Sequence, residues 1–517
     1  MDRHDVHPAA IVVFCVLFLF VTVVGFAAAR WRKADLAHLN EWGLAGRKFG
    51  TWVTWFLIGG DIYTAYTFIA VPAAMFGAGS AGFFAFAYTT LVFPVLFVFG
   101  PRLWAVCKRH GYITAADFAR GRFGSSTLAL AVALTGILAT MPYIGLQLIG
   151  LKTVIAAMGV AGDWPIILAF IVLAAYTYQS GLRAPALTAI VKDIAIYVTV
   201  IVAVIYIPIK LGGFGHIFNA AATALPKRTP PAALVPGKAA SYETYATLAL
   251  GSAFALFLYP HALTGALSAR SGNTIRRNAT LLSFYSLALG IIAILGYMAI
   301  AAHLKPANPN FAVPDLFIKY FPSWFEGFAF AAIGVGALVP AAIMAIAAAN
   351  LFTRNIYTEY LRTGATPREE AMVAKVVSIV VKAGALVFAL FVSTKSAIDL
   401  QLLGGVWIIQ TLPAVFLGLY TRWFHRWALI AGWAVGMASG TVMAASQSFK
   451  SAFPLSIGSV KLTMYSAFFA ILANLIVTVA LTPVMRRFDR AEPADETAPE
   501  DYVDRSEAAS EAELTPA

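Results

Sequence analysis

Long apolar stretches alternate with short, mostly basic loops along this chain. Thirteen stretches approach the length needed to cross a hydrocarbon layer of about 30 Å. They fall approximately at 9–29, 51–77, 82–105, 127–153, 163–180, 185–209, 244–269, 280–302, 325–352, 373–393, 400–420, 427–446 and 462–484. The pattern predicts an all-α polytopic membrane protein with 13 transmembrane helices. The first stretch exceeds a usual leader core and lacks a clean small-residue cleavage site, so it reads as a helix.

Composition agrees. The 517 residues are 60% hydrophobic and 12% charged, against roughly 25% charged in a soluble domain. The net charge of +12 follows the loops and so does not point to nucleic acid. Basic residues cluster in every second loop, at Arg30/Arg32/Lys33/Arg47/Lys48, Lys108/Arg109/Arg120/Arg122, Arg183, Arg270/Arg276/Arg277, Arg354/Arg362/Arg368 and Arg422/Arg426. They recur at the C-terminus, at Arg486/Arg487/Arg490. The positive-inside rule then places the N-terminus outside and the C-terminus in the cytoplasm, which an odd span count satisfies. Residues 488–517 are acidic and rich in Pro and Ala, the composition of a disordered tail. Cys15 and Cys107 lie far apart and suggest neither a disulfide framework nor a metal site. Asp315 and Glu326, before the ninth span, read as surface residues.

Polar groups inside apolar spans are costly and mark function more often than structure. The second span reads "WFLIGGDIYTAYTFIAVP", from Trp55 to Pro72. Gly59, Gly60 and Pro72 weaken its helix around Asp61, and Tyr63, Thr64 and Thr67 follow. The seventh span carries Pro260 beside His261. Breaks at corresponding places in two halves point to an inverted-repeat transporter. Helices 2–6 (48–209) and 7–11 (244–420) then form two five-helix repeats, with helix 1 (1–29) and helices 12–13 (427–484) peripheral. A broken helix frees backbone groups that can hold a cation and an anionic substrate group. Asp61 either sits at such a break or lies beside a packing kink.

Other polar residues suit the same region. Tyr143 and Gln147 share a helix face, for contact with a small hydroxy- or keto-acid or as interhelical glue. Thr64 and Thr67 with Tyr63 lie where helical N–H groups could hold a carboxylate. Pro260 and His261 mark a second ligand position or a packing contact. Lys192 and Asp193 in the sixth span form a proton-carrying pair or a snorkelling ion pair. Lys382 lies nearer the middle of the tenth span, and no Arg lies mid-span.

These residues resemble the sodium:solute symporter family, which has the LeuT-type fold of 5+5 inverted repeats. "GRKFGTWVTWFLIGGD" resembles the approach to its first core helix, and "KRHGYITAADFARGRFGS" a loop of the form "G.YT..D.…RFGS". "PYIGLQLIGL", "SGLRAPALT", "YPHALTGALSAR" and "AAIMAIAAANLFTRNIYTEY" match further segments in order, across residues 40–420. The last two look most like the bacterial branch that takes up pyruvate and lactate.

The resemblance implies a cation-coupled symporter importing small monocarboxylates by alternating access, with Na+ as coupling ion and no other cofactor. Helices 2, 3, 7 and 8 would rock against the rest. The first half of the family's sodium cage maps onto Ile58 to Asp61, including Gly60. The second half, a hydroxyl pair, falls near Ala342 and at Ala345 and Ile346, or at Val339 and Pro340 in an ungapped match from "NIY". None of these is a hydroxyl, and the family's aspartate in the sixth helix is Ala189 here. Sodium requires hard oxygen ligands. Proton coupling through Asp61 and Lys192 therefore stands beside sodium coupling, and an amino acid or pantothenate beside the monocarboxylate. The sequence has no phosphate-binding G-x-x-x-x-G-K-[ST] loop, HExxH or GxSxG motif, so neither a nucleotide-driven pump nor an enzyme is expected. The expected partners are a small solute and the lipid bilayer of a bacterial inner membrane, with no nucleic acid and no obligate protein partner.

Overall fold

The computed structural model describes residues 6–31, 35–235, 239–391, 397–489 and 495–504. Helices dominate. They are α1 (Pro8–Ala27), α2 (Thr51–Ile62), α3 (Val71–Ala78), α4 (Phe84–His110), α5 (Ala115–Phe123), α6 (Ser126–Ala157), α7 (Trp164–Ser180) and α8 (Arg183–Lys210). After a connecting segment come α9 (Ala239–Leu256), α10 (Pro260–Leu267), α11 (Gly272–Ala301), α12 (Ser323–Phe352), α13 (Pro367–Phe391), α14 (Ala397–Ile408), α15 (Arg426–Ser446) and α16 (Ser466–Phe488). A short antiparallel hairpin, β1 (Ala452–Ile457) and β2 (Val460–Tyr465), joins α15 to α16.

Ten helices among the described residues are long and apolar enough to cross a membrane. Two more spans are bent pairs, Thr51–Ile62 with Tyr66–Ala78 at 44° and Tyr242–Leu256 with Pro260–Leu267 at 50°. The apolar helix Trp164–Ser180 is shorter, at 17 residues. Every apolar stretch of the sequence thus has a helical counterpart, and length and composition identify ten to twelve as spans.

Both breaks arise from local chemistry. Helix α2 ends at Tyr63, whose backbone is extended at φ −80° and ψ 91°. Thr67 Oγ1 donates to the Ile62 carbonyl at 2.9 Å, and Thr64 Oγ1 accepts from the Tyr66 N–H at 3.0 Å. Gln147 Oε1 on α6 accepts the Ala65 N–H at 3.1 Å. Side chains therefore supply what the lost helix no longer provides, as a water-poor interior requires. Pro72 is not the cause of this break. It lies inside the helix Tyr66–Ala78, past the break, where a widened π-type turn over Tyr66–Ala70 accommodates it. At the second break Tyr259 is extended at ψ 134°, and Pro260 opens α10.

The two broken spans run side by side. Phe49 N–H donates to the Ser268 carbonyl at 3.2 Å, and Arg270 N–H donates to the Phe49 carbonyl at 2.9 Å. A Cβ on Gly265 would lie 3.4 Å from Ile58 Cγ1, so α2 and α10 touch along their length.

On the face that carries the C-terminus, Thr114 caps α5 in a reciprocal box with Asp117. Asn355 Nδ2 donates to Asp117 Oδ1 at 2.7 Å, and Thr114 Oγ1 donates to Asn355 Oδ1 at 2.8 Å. The "D" and "N" of the two sequence segments thus tie the α4–α6 connection to the end of α12.

Two expectations fail. Glu326 is not a surface residue: α1 passes over the start of α12, which buries Glu326 3.1 Å from His7 Nδ1. Composition predicts a disordered tail over 488–517, yet residues 495–504 pack onto the C-terminal face and bury Asp501, Tyr502 and Asp504. Cationic partners there offset the charge that composition counts as solvated. Residues 490–494 and 505–517 lie outside the described residues.

Thr114→Ala removes the cap and one bond to Asn355, a loss of about 1 kcal/mol for the cap alone. The purified variant should melt at a lower temperature than the parent in the same detergent. An unchanged midpoint would assign the whole link to Asp117 and Asn355.

Candidate functional site

The site grows out of the first break. Ending α2 at Ile62 leaves the Gly60 and Tyr63 carbonyls facing α8. Lys192 Nζ donates to both, to Tyr63 at 2.7 Å and to Gly60 by a shorter bond. Asp193 Oδ1 lies 3.2 Å from the same ammonium, and Tyr285 OH on α11 donates to Asp193 Oδ2 at 2.6 Å. Tyr63 OH donates to the Tyr285 carbonyl, which closes the ring. All these side chains are buried. The ammonium is held by two carbonyls and a carboxylate, the environment a buried charge needs.

Glycine makes this approach possible. A Cβ on Gly60 would lie 3.2 Å from Lys192 Nζ and 3.1 Å from Ala189 Cβ. A Cβ on Gly59 would lie 2.7 Å from the Tyr285 ring. The small side chain of Ala189 leaves room at the cage, and Lys192 fills it.

The expected residues of α12 are placed elsewhere. One α12 residue beside the cage is Gly336, whose Cβ position lies 4.0 Å from the Tyr63 carbonyl oxygen. Ala342 and Ala345 are six and nine residues further along, about 9 and 13 Å by helical rise. They are fully buried apolar residues. Of the two sequence matches, the ungapped one through Val339 and Pro340 lies nearer the cage. Ile58 packs against Gly265.

A second cluster lies between the two breaks. Asp61 Oδ2 is 3.6 Å from His261 Nε2, so the first residue after the Gly59–Gly60 pair meets the first residue after Pro260. Both are buried. The Tyr143 ring lies 5.3 Å from the His261 ring, edge-on, and 5.5 Å from that of Tyr259. Gln147, one turn along α6 from Tyr143, reaches Ala65 at the break. Several polar atoms here make no hydrogen bond within the protein: Asp61 Oδ1, both His261 ring nitrogens and Gln147 Nε2. Unpartnered buried polar atoms are uncommon and call for an explanation. Four between the two breaks form a set of donors and acceptors whose partner the protein itself does not supply.

The structure thus brings Gly60, Lys192, Asp193 and the Tyr63 carbonyl into one cage, and Asp61, His261, Tyr143 and Gln147 into one cluster. Thr64 and Thr67 serve the backbone of the break, and Pro260 shapes the second break. Sequence reasoning missed Tyr285, and it counted Tyr66 among the polar residues of the second span without giving it a role. Tyr66 follows the same break, within the quoted run, but nothing in the order of residues brings Tyr285 of α11 to Asp193. Lys382 is buried in α13 and donates to Ser378 Oγ at 3.0 Å.

Two spaces of unequal size lie along the broken spans. A cavity of about 340 Å³ lies between the end of α3, the start of α14 and the β-hairpin, on the face opposite the C-terminal segment. Towards the C-terminal face, Pro260 and Thr264 line a space of only about 20 Å³, roughly one water molecule.

Comparison with known proteins agrees with this architecture. Residues 42–436 match the model of the sodium:solute symporter family. A monocarboxylate transport permease protein of Rhizobium johnstonii is 52% identical over 482 residues, covering 93% of this chain and 98% of the relative. An uncharacterized symporter of Bacillus subtilis, YodF, is 33% identical over 480 residues, covering 92% and 93%. The fold is shared with the substrate-bound outward-open state of a Na+-coupled sialic acid symporter. That match has a TM-score of 0.73 at 18% identity and covers 92% of this chain and 98% of the other. Mhp1, a nucleobase-cation-symport-1 family transporter in a closed conformation, aligns with a TM-score of 0.54 at 14% identity, covering 89% and 98%. With three quarters of its length matched and broken helices meeting at a buried polar site, the chain belongs to the sodium:solute symporter family.

Proposed function

We propose that this chain imports small monocarboxylates such as pyruvate or lactate across a bacterial inner membrane, coupled to protons, with its C-terminal face in the cytoplasm. The observation that carries the reading is Lys192, whose ammonium spans the Gly60 and Tyr63 carbonyls that would otherwise face a coupling cation. A proton moving on and off Lys192 makes and breaks the link between α8 and the first break. Gly336, beside the cage, and Val339 and Pro340, one turn further along α12, have no hydroxyl to complete a sodium shell.

Charge balance supports the same reading. The buried site holds one lysine and two carboxylates, Lys192, Asp61 and Asp193. A substrate anion adds a third carboxylate, and unbalanced charge is expensive away from water. A proton that travels with the anion offsets it. Gln147 Nε2 and a His261 N–H supply donors for the carboxylate and its 2-hydroxy or 2-keto oxygen. The start of α10, the positive end of a half-helix, faces the same space. The 52%-identical relative is named as a monocarboxylate transport permease, which favours this substrate class. The five-helix repeats, 48–209 and 244–420, give the moving parts: α2 to α4 and α9 to α11 rock against the remainder.

Proteoliposomes test the coupling. Labelled pyruvate should accumulate under an inward proton gradient without sodium, above an ionophore control for free-acid diffusion. Accumulation driven by sodium alone at equal pH would overturn proton coupling. Lys192→Ala and Asp61→Asn should each lower uptake more than they lower the amount of folded protein, and normal accumulation by both would remove these residues from the coupling step.

Gln147→Ala should raise the apparent KM for pyruvate by about tenfold, the value of one hydrogen bond to a charged group. An unchanged KM with a lower melting temperature would return Gln147 to the backbone of the break alone.

A further inference from the structure

The acidic segment 495–504 belongs to neither repeat and makes more polar contacts than a passive tail needs. Asp501 takes Arg109 Nε at 2.6 Å on one oxygen and His110 Nε2 at 2.8 Å on the other. Both partners end α4. Asp504 Oδ2 accepts the Gly272 N–H at 2.9 Å, at the start of α11. These contacts hold the segment to α4 and α11, two helices of the rocking group.

Its other end holds different elements. Asp495 Oδ2 lies 2.7 Å from Arg122 of α5 and 3.5 Å from Arg422. Arg422 also donates to the Thr497 carbonyl at 2.7 Å. Arg422 follows α14 and precedes α15, outside the rocking group. Arg122 is buried and donates to the Gly418 and Thr421 carbonyls, so the same guanidinium joins the α4–α6 connection to the region after α14.

Between the two ends, Tyr502 is buried. Its hydroxyl bonds Thr497 Oγ1 at 2.8 Å, and its ring lies 5.5 Å from the Arg102 guanidinium and edge-on to Phe118. Burial disfavours the charged form of Asp501, yet the Ala498 N–H, His110 and Arg109 together hold its carboxyl below the usual carboxylate range. The segment is therefore an ordered strap with a buried centre.

We propose that residues 495–504 are an inhibitory latch that holds the C-terminal face of the transporter closed. It bridges α4 and α11 on one side to Arg422 on the other, and opening that face separates the two sides. Residues 495–504 line no part of the space of about 20 Å³ beside Thr264, so the latch acts on that closed path through the helices it ties. To open it, the chain breaks the Asp501 and Asp504 contacts or the Asp495 and Thr497 contacts. The inference rests on the division into rocking and fixed helices given above.

Thiol labelling reads the latch without any transport substrate. The full-length chain, with Cys15→Ser, Cys107→Ser and Thr264→Cys, is placed in nanodiscs and treated with a maleimide. Adding Asp495→Asn and Asp501→Asn should speed labelling of Cys at 264 by at least about tenfold, the factor one charge-assisted hydrogen bond carries. Arg109→Asp alone should do the same, and Arg109→Asp with Asp501→Arg should restore the slow rate. Equal or slower labelling in the released variants, with melting temperatures unchanged, would overturn the latch. If the double neutralisation fails to fold, the Arg109→Asp variant and its charge-swapped rescue carry the test. Fast labelling with no pyruvate uptake would leave the latch standing and fault the substrate. Normal proton-driven uptake with unchanged labelling would do the reverse.

Discussion

Everything in this molecule depends on how its interior satisfies backbone groups that no water can reach. A helix meets that demand by itself, and a broken helix does not. At the first break the debt passes to Thr64, Thr67 and Gln147, which take up N–H and carbonyl groups around Ile62 to Tyr66. Two carbonyls remain, and an ammonium from α8 occupies both. Removing any of these partners strands a polar group where it costs most. The buried polar cluster, the cage around Lys192 and the helix packing are consequences of one local unwinding.

The use of a tethered cation changes what the cage can do. A free ion must arrive, lose its water and leave. Lys192 stays on α8, so only its proton can be exchanged. Asp193 and Tyr285 sit behind it and fix where the ammonium points. The glycines at 59 and 60 leave room for that geometry, because a methyl group at either place would meet Tyr285 or Lys192.

Much of this was legible from residue order. Gly59, Gly60 and Pro260 mark both breaks because backbone effects are local. Lys192, Asp193 and Asp61 stand out because charge in an apolar span is conspicuous in one dimension. Contacts between distant elements were not legible. Gly336 replaces Ala342 and Ala345 at the cage because the register of α12 against α2 is set by packing along the whole helix. Pro72 misled because a proline inside a helix and a proline at a break look alike in sequence. The segment at 495–504 misled because composition counts carboxylates without showing Arg109, Arg122 and Arg422 opposite them.

The backbone bridge between Phe49 and residues 268–270 has a mechanical meaning. It is main-chain to main-chain, so no rotamer change can release it. The halves of the two broken spans nearest the C-terminal face, α2 and α10, are thereby coupled into one lever. Among the described residues, α3 and α9 are joined to this lever only through the breaks at Tyr63–Ala65 and Phe257–Tyr259, with no main-chain bridge of that kind. A transporter jointed in this way can close one end around its solute while the other end stays rigid, so its two gates need not be mirror images in stiffness.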